Sequence, residues 1–211
     1  MKDRLNNQAY QADISVLNTI SILASKNLNQ FGLQGTAHMK PSWLSLFAFM
    51  VDVHYYYANK TSLFYGSFAV CSHTIAVSFK PLDDAFLTQK QIADNDGILI
   101  IPKDYIGEDG EYTYSRLADD MPEYIFIESA IENIIQKIYS NNGVPLWDEL
   151  AGMGFVDLVD KYDYPTVKHL NNSDYNFLIN KYFKQNEKAV HSKKKISIKK
   201  TDNVINFDRN K

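Results

Sequence analysis

The sequence predicts a mainly α-helical, compact domain with a small β-hairpin insertion and a basic C-terminal tail. Apolar residues at helical spacing begin near Asp13, Pro41 and Pro122, and a short β-type run lies between the last two. With 211 residues and 45% hydrophobic content, the chain is long enough to bury one core. We therefore predict a helical domain over 1–183 and a tail over 184–211.

The first two helices follow from their apolar faces. The segment 13–25 carries a single stripe, with Asp13 placed as its N-cap: Val16, Leu17, Ile20, Leu23 and Ala24. Pro41 suits the first position of the next helix, and 41–58 is apolar on nearly all sides. Such a helix is expected to be central and buried, with Trp43, Phe47 and Phe49 on its apolar faces.

The β content is predicted from two segments. The apolar stretch 67–79 fits a short strand followed by a helix, although its periodicity does not decide between them. Gly97–Pro102 is a β-type run, 107–110 is a glycine-flanked turn, and 111–115 alternates polar and aromatic residues. The sequence therefore predicts a hairpin between 97–102 and 111–115.

The helix beginning at Pro122 has the clearest pattern of the chain. Its apolar stripe recurs every three to four residues, and Asn142-Gly143 is a stop signal: Ile127, Ile131, Ile134, Ile135 and Ile138. Pro145 predicts a further short helix. Ser173 is the predicted cap of a final helix with Tyr175, Leu178, Ile179 and Tyr182 on one face.

The charge is divided unevenly between the body and the tail. Residues 182–211 hold nine basic and three acidic side chains, a formal charge of +6, which leaves −9 on the rest of a chain whose net charge is −3. The tail is interpreted as a solvated terminus. The alternative is an arm that binds RNA through Lys193–Lys200, or that contacts an acidic face on a partner or on the chain's own body. Nucleic acid is otherwise an unexpected partner, because the body is acidic.

A cytoplasmic protein with no membrane span is expected. The chain has one cysteine, which suits a reducing compartment, and Met1–Asp13 is too polar for a signal peptide. No apolar run reaches the roughly 18 residues that a membrane helix needs.

Catalytic chemistry has little support in the sequence. Cys71 and His73 form a candidate thiol–imidazole dyad, and Asp157, Asp160 and Asp163 form a candidate metal-binding triplet. A buried apolar cysteine and a water-facing acidic strip explain the same residues more simply. We expect no catalytic residue, no cofactor and no metal, and keep a small enzyme using Cys71 and His73 as an alternative.

Three patches of sequence resemble motifs of the Panacea (SocA-like) antitoxin domain family. Asp52 and His54 fall on an "A-D-x-Y-H" stretch at the end of a helix, with one residue missing between them. Gly66 falls on the glycine of a following "G-x-x-L-F-G" motif. The third patch is a helix and the segment after it: Tyr139, Gly143, Glu149 and Leu150. The resemblance covers roughly residues 12–155. Two positions depart from the family, with Cys71-Ser-His-Thr74 in place of Tyr-Gly-Pro and Gly154-Phe155 in place of Thr-His.

The resemblance implies a mainly helical, non-catalytic module. It implies that the chain neutralises a toxin by direct contact, or delivers it to a protease as an adaptor. The alternative is a phage- or prophage-encoded inhibitor of a host defence protein. In either case we expect a protein partner.

Exposed tyrosines beside polar residues are the predicted partner-binding surface, because tyrosine brings a large rigid area at low entropic cost. They cluster at the end of the central helix, in the predicted hairpin and beside the acidic triplet: Tyr55, Tyr56, Tyr57, Tyr105, Tyr112, Tyr114, Tyr162 and Tyr164.

Overall fold

The computed structural model describes residues 2–30, 41–71, 76–82, 90–94, 97–101, 114–140 and 167–182. Over these residues the fold is mainly α-helical with small antiparallel β elements, which confirms the predicted fold class. The helices are α1 (Lys2–Gln30), α2 (Pro41–Asn59), α3 (Pro122–Ser140) and α4 (172–182). The strands are β1 (Phe68–Cys71), β2 (Ala76–Phe79), β3 (Lys90–Asp94), β4 (Gly97–Ile101) and β5 (Val167–His169). The predicted tail 184–211 and the short helix at Pro145 lie outside the described residues.

Helix α1 is longer than its apolar stripe predicts. It begins at Lys2, so Asp13 lies in the middle of the helix and is buried, and its prediction as an N-cap is wrong. The polar segment before Asp13 contains no glycine or proline, so nothing in it ends the helix. The stripe marks only the part of α1 that faces the core.

Helix α2 is the central helix, as predicted. It begins at Pro41, and its side chains are fully buried on several sides, among them Phe47, Phe49, Met50 and Val51. Trp43, expected on an apolar face, is instead exposed near the start of the helix. The helix ends where Lys60 adopts a left-handed conformation with φ of 60°, and the Lys60 amide donates to the Tyr56 carbonyl at 2.9 Å.

The segment 67–79 forms two strands rather than a strand and a helix. Strands β1 and β2 pair antiparallel, from Phe68 opposite Phe79 to Cys71 opposite Ala76. On its other edge β1 pairs antiparallel with β5, which comes from near the end of the described chain. The chain that follows α2 thus leads into the central strand of a three-stranded sheet.

A ring cluster packs this sheet against α2. Phe68 and Phe79 stack at 4.5 Å between ring centroids, and Phe64 meets both rings edge-on at 5.4 and 4.8 Å. Phe49 of α2 meets Phe68 at 5.5 Å. Ring pairs of this kind contribute about 0.5–1.5 kcal/mol each beyond their buried area, so the cluster fixes the position of the chain that joins α2 to β1.

The predicted hairpin exists, but with a different partner strand. Gly97–Ile101 is β4, and it pairs antiparallel with β3 in a register that sets Asp94 opposite Gly97. Of the expected partner 111–115, residues 111–113 lie outside the described residues, and Tyr114 and Ser115 are not in a strand. The sequence of β3, Lys-Gln-Ile-Ala-Asp, is too polar to show a strand pattern.

Side chains of α1 hold the segment that leads into α3. The Asn18 amide group donates to the Ser115 carbonyl at 2.9 Å, and the Leu117 amide donates to the Thr19 hydroxyl at 3.0 Å. Helix α3 then begins at Pro122, and its isoleucine stripe is buried as predicted at Ile127, Ile131, Ile134 and Ile135. The stop signal at Asn142-Gly143 lies outside the described residues.

Helix α4 is capped by a different residue from the one predicted. The Asn171 side-chain oxygen accepts from the amides of Ser173 at 2.9 Å and Asp174 at 3.3 Å, and the Asp174 carboxylate accepts from the Asn171 amide at 3.2 Å. This reciprocal pair is a capping box. Ser173 is therefore inside the helix. The predicted inner face is confirmed by the burial of Tyr175, Leu178 and Tyr182.

Candidate functional site

The buried carboxylate of Asp52 is the main polar junction of the fold. It accepts hydrogen bonds from the Ser62 hydroxyl at 3.0 Å, the Leu63 amide at 2.6 Å and the Tyr175 hydroxyl at 2.5 Å. These donors come from the chain after α2 and from α4. One side chain of α2 therefore joins three parts of the molecule.

Burial raises the pKa of Asp52 to about 6, because the charged form loses hydration. The hydrogen bonds from Tyr175, Leu63 and Ser62 oppose this rise, and the nearby charge of Asp13 adds to it. The pKa of Tyr175 is raised as well, first by burial and then by the Asp52 charge, so its hydroxyl stays protonated as a donor. A buried acceptor with three donors is well satisfied.

Asp13 holds the same segment from the side of α1. Its carboxylate accepts from the amides of Tyr65 and Gly66, each at 2.9 Å. Burial raises the pKa of Asp13, and the two amide bonds oppose the rise. Residues 62–66, here called the 62–66 loop, are thus held by two buried aspartates on two helices.

Gly66 is required by the space around it. A Cβ at this position would lie 2.6 Å from Pro81 Cγ, 3.0 Å from Pro81 Cδ and 3.1 Å from an Asp13 carboxylate oxygen. Any larger residue would push the loop away from both Pro81 and Asp13. The motif glycine therefore allows close packing of the loop against Pro81 and Asp13.

His54 faces a different part of the structure from Asp52. Its ring meets the Tyr182 ring edge-on at 5.8 Å, and the Lys137 ammonium lies 4.2 Å from the centroid of the same tyrosine. Burial lowers the pKa of His54 to about 4, and the Lys137 charge lowers it further in the same direction. The imidazole is neutral at physiological pH. It projects from α2 and packs against Tyr182 of α4, with the charge of Lys137 of α3 nearby.

The predicted binding tyrosines of α2 have three different environments. Tyr56 is only 7% exposed and stacks on Tyr175 at 4.8 Å, so its expected exposure is wrong. Tyr57 is exposed, and the Lys60 ammonium lies 5.0 Å from the centroid of its ring. Tyr55 is half-buried and meets the Phe126 ring of α3 edge-on at 5.1 Å.

The other predicted tyrosines are mostly beyond the described structure. Tyr114 is half-buried and lines a cleft of about 220 Å³ with Tyr124, Lys26 and Arg116. In this cleft the Arg116 guanidinium forms an ion pair with Asp119. Four residues lie outside the described residues: Tyr105, Tyr112, Tyr162 and Tyr164.

A second cleft forms where α2 ends and α3 begins, and we call it the Tyr55–Tyr65 cleft. It has a volume of about 340 Å³, and its lining residues are Tyr55, Thr61, Ser62, Leu63, Phe64, Tyr65 and Glu123. Tyr65 is 76% exposed, although its own amide is held by buried Asp13. One wall of the cleft therefore has a backbone that is hydrogen-bonded to buried aspartates, and it carries an exposed aromatic side chain.

Apolar side chains are exposed to solvent at the start of helix α3 and just before it. Ile125 is 57% exposed, and Met121 one turn earlier is exposed as well. Glu123, between them, lines the cleft. Sequence reasoning missed Tyr65, Ile125 and Met121. Ile125 stands off the isoleucine stripe that begins at Ile127, which was the available signal that it faces outward.

The candidate catalytic groups receive no geometric support in the described residues. Cys71 is the last residue of β1, and His73 lies outside the described residues, as do Asp157, Asp160 and Asp163. Among the described residues, no group of three or more histidine, cysteine, aspartate or glutamate side chains is arranged to hold a metal ion.

Comparisons with known proteins give no relative for this chain. No family model, no curated protein and no solved structure matches it. Within the described ranges, none of the helices has the length and apolar character needed to cross a membrane.

Proposed function

We propose that this chain is a non-catalytic, antitoxin-like protein-binding module, which neutralises a toxin by direct contact or delivers it to a protease. The observation that carries the proposal is the 76% exposure of Tyr65 on the rim of the Tyr55–Tyr65 cleft. Ile125 of α3 adds a second large exposed side chain, at 57%, two positions along the helix from the lining residue Glu123. Large exposed apolar side chains around a concavity are typical of protein-binding surfaces.

The roles of the titratable core residues support a non-catalytic function. Groups with shifted pKa values are candidates for catalysis, but structural networks also shift them. Asp13 and Asp52 accept hydrogen bonds from the 62–66 loop, and His54 packs against Tyr182. The shifts of all three groups are thus accounted for by burial in a packed scaffold.

The Panacea resemblance fits the same surface. Asp52 and Gly66 lie on two of the resembling motifs, and each helps to position the 62–66 loop. That loop supplies one wall of the cleft. In this proposal the motif residues fix the position of the 62–66 loop, and the exposed residues of the loop contact the partner.

The charge of the body indicates the kind of partner. Residues before the tail carry a formal charge of −9. Complementary charge speeds encounter and favours the correct partner. A basic toxin, such as one that acts on RNA or ribosomes, is therefore the best electrostatic match.

Co-expression with the product of the neighbouring gene tests the proposal. Wild-type chain should restore growth to cells that express the toxin, and the pair should co-purify. Tyr65→Ser and Ile125→Ser should each weaken binding at least tenfold, because exposed aromatic and aliphatic residues dominate interface energetics. Their melting temperatures should stay within about 2 °C of wild type.

Gln136→Ser is the matched control, since Gln136 is exposed on the same helix farther from the cleft. It should rescue growth and bind as wild type does. Toxicity that is not relieved by the wild-type chain contradicts the antitoxin proposal. Recovery of a host defence protein, in place of a neighbouring gene product, would instead assign the chain as a phage-type inhibitor.

A further inference from the structure

The Tyr55–Tyr65 cleft combines aromatic walls with a single carboxylate. Tyr55 and Tyr65 line it from α2 and the 62–66 loop, and Glu123 lines it from the first turn of α3. The cleft volume of about 340 Å³ leaves room for one long side chain. Aromatic faces and a carboxylate are the two groups that attract a cationic side chain.

The electrostatics of the cleft favour a cation. The pKa of Tyr55 is raised by partial burial and then by the charges of Glu123 and Asp52, so the field at this phenol is negative. Among the described residues no lysine or arginine forms an ion pair with Glu123. Lys60 and Arg116 are the described basic residues nearest in sequence to Thr61 and Glu123 of the cleft. The Lys60 ammonium contacts Tyr57, and the Arg116 guanidinium pairs with Asp119.

The other classes of occupant fit less well. An acidic side chain would meet the charge of Glu123. A purely apolar side chain would cover that carboxylate and remove it from water without a compensating partner, which is unfavourable.

We infer that the Tyr55–Tyr65 cleft is a specificity site that binds one lysine or arginine side chain of a basic protein partner. This inference rests on the proposed function, because it assigns the partner's chemistry at the same surface. The cation lies between the Tyr55 and Tyr65 rings and pairs with Glu123.

The first test needs no partner. The full-length chain is titrated with N-acetyl-arginine methylamide, N-acetyl-lysine methylamide and the uncharged N-acetyl-norleucine methylamide, and backbone amide shifts are followed by NMR. The cationic probes should cause saturable shifts at 61–65 and Glu123, whereas norleucine should not. Glu123→Gln should reduce the affinity for the cations at least fivefold.

Glu132→Gln is the matched control, since Glu132 is exposed farther along α3 and does not line the cleft. It should respond to the probes as wild type does. Equal shifts with norleucine, or undiminished cation binding in Glu123→Gln, overturn the inference.

The second test uses the partner identified by co-expression. Glu123→Gln should weaken partner binding about tenfold and reduce its dependence on salt, and Glu132→Gln should change it less than twofold. Unchanged partner binding in Glu123→Gln overturns the inference while leaving the proposed function intact. A chain that binds the probes but relieves no toxicity contradicts the proposed function alone.

The chain's own basic tail is the competing occupant. A cleft that responds to no probe in the wild type, but responds once five tail lysines are changed to glutamine, would assign the site to the tail and overturn the inference. The five lysines are Lys193, Lys194, Lys195, Lys199 and Lys200.

Discussion

The hydroxyl of Tyr175 donates a hydrogen bond of 2.5 Å to the carboxylate of Asp52, across 123 positions of sequence. It ties α4 to the central helix, and its ring stacks on Tyr56. The same carboxylate holds the 62–66 loop through Leu63 and Ser62. Helix α4 and the 62–66 loop are therefore both held by one buried acceptor.

Removing the Tyr175 hydroxyl should destabilise the fold. Tyr175→Phe keeps the ring but leaves the buried Asp52 carboxylate with one donor fewer, which costs about 1–3 kcal/mol of unfolding free energy. Urea denaturation followed by circular dichroism measures the loss. Tyr56→Phe is the control, because it keeps the stacked ring and should change stability by less than about 0.5 kcal/mol. Equal stability of the two variants would show that the hydrogen bond contributes nothing net.

Asp52 should make the protein more stable as the pH falls. Its pKa rises from 3.8 to about 6 on folding, so the folded state binds this proton more tightly than the unfolded chain. The resulting stabilisation is complete below the unfolded pKa and is lost as the pH rises through about 6, with a size of ~3 kcal/mol.

Asp52→Asn isolates this contribution. The amide is neutral at every pH and keeps one accepting oxygen, so the variant should lack this part of the pH dependence. Wild type minus variant unfolding free energy, measured in urea from pH 4 to 7, should fall as the pH rises. A difference that stays constant would show that Asp52 titrates near its unfolded value, and one that grows with pH would show that folding lowers its pKa.

Sequence periodicity located the helices but not their polar contacts. An aspartate just before an apolar stripe predicts a helix cap at Asp13. Its actual partners, the Tyr65 and Gly66 amides, lie 52 and 53 residues away, and no local pattern encodes them. The cap of α4 differs from the predicted one for a related reason. Ser173 and Asn171 are both good caps, and the structure selects the one with Asp174 three positions later.

The binding surface was predicted only in part, because three consecutive tyrosines on a helix point about 100° apart. Tyr57 is exposed as expected, while Tyr56 turns inward onto Tyr175. Tyr65 follows a helix end and belongs to no periodic pattern. Its position depends on the hydrogen bond from its amide to the Asp13 carboxylate, and not on the residues next to it in sequence. The β3–β4 pairing has a local signal in the sequence, since Asn95-Asp96-Gly97 consists of residue types that are typical of hairpin turns.

His54 should oppose Asp52 in the pH dependence. Its pKa falls from 6.5 to about 4 on folding, chiefly through burial, so the folded state resists protonation. The stabilisation from a neutral His54 is complete above about 6.5 and is lost as the pH falls towards 4, by roughly 3 kcal/mol. NMR titration of the His54 ring protons should give a midpoint near 4. His54→Gln should remove this part of the loss of unfolding free energy at low pH. A midpoint close to 6.5 would contradict the packed, neutral state of His54.

Gly66 should tolerate no side chain, although its neighbour should. In Gly66→Ala the new Cβ would overlap Pro81 Cγ at 2.6 Å and crowd the Asp13 carboxylate that accepts from the Gly66 amide. Overpacking of this kind costs about 1–3 kcal/mol, and it should also displace the 62–66 loop. Ser67→Ala, at an exposed position next to it, should leave the melting temperature within about 2 °C of wild type. If Gly66→Ala melts like Ser67→Ala and binds the partner normally, then the loop is not held by the contacts between Gly66, Pro81 and Asp13.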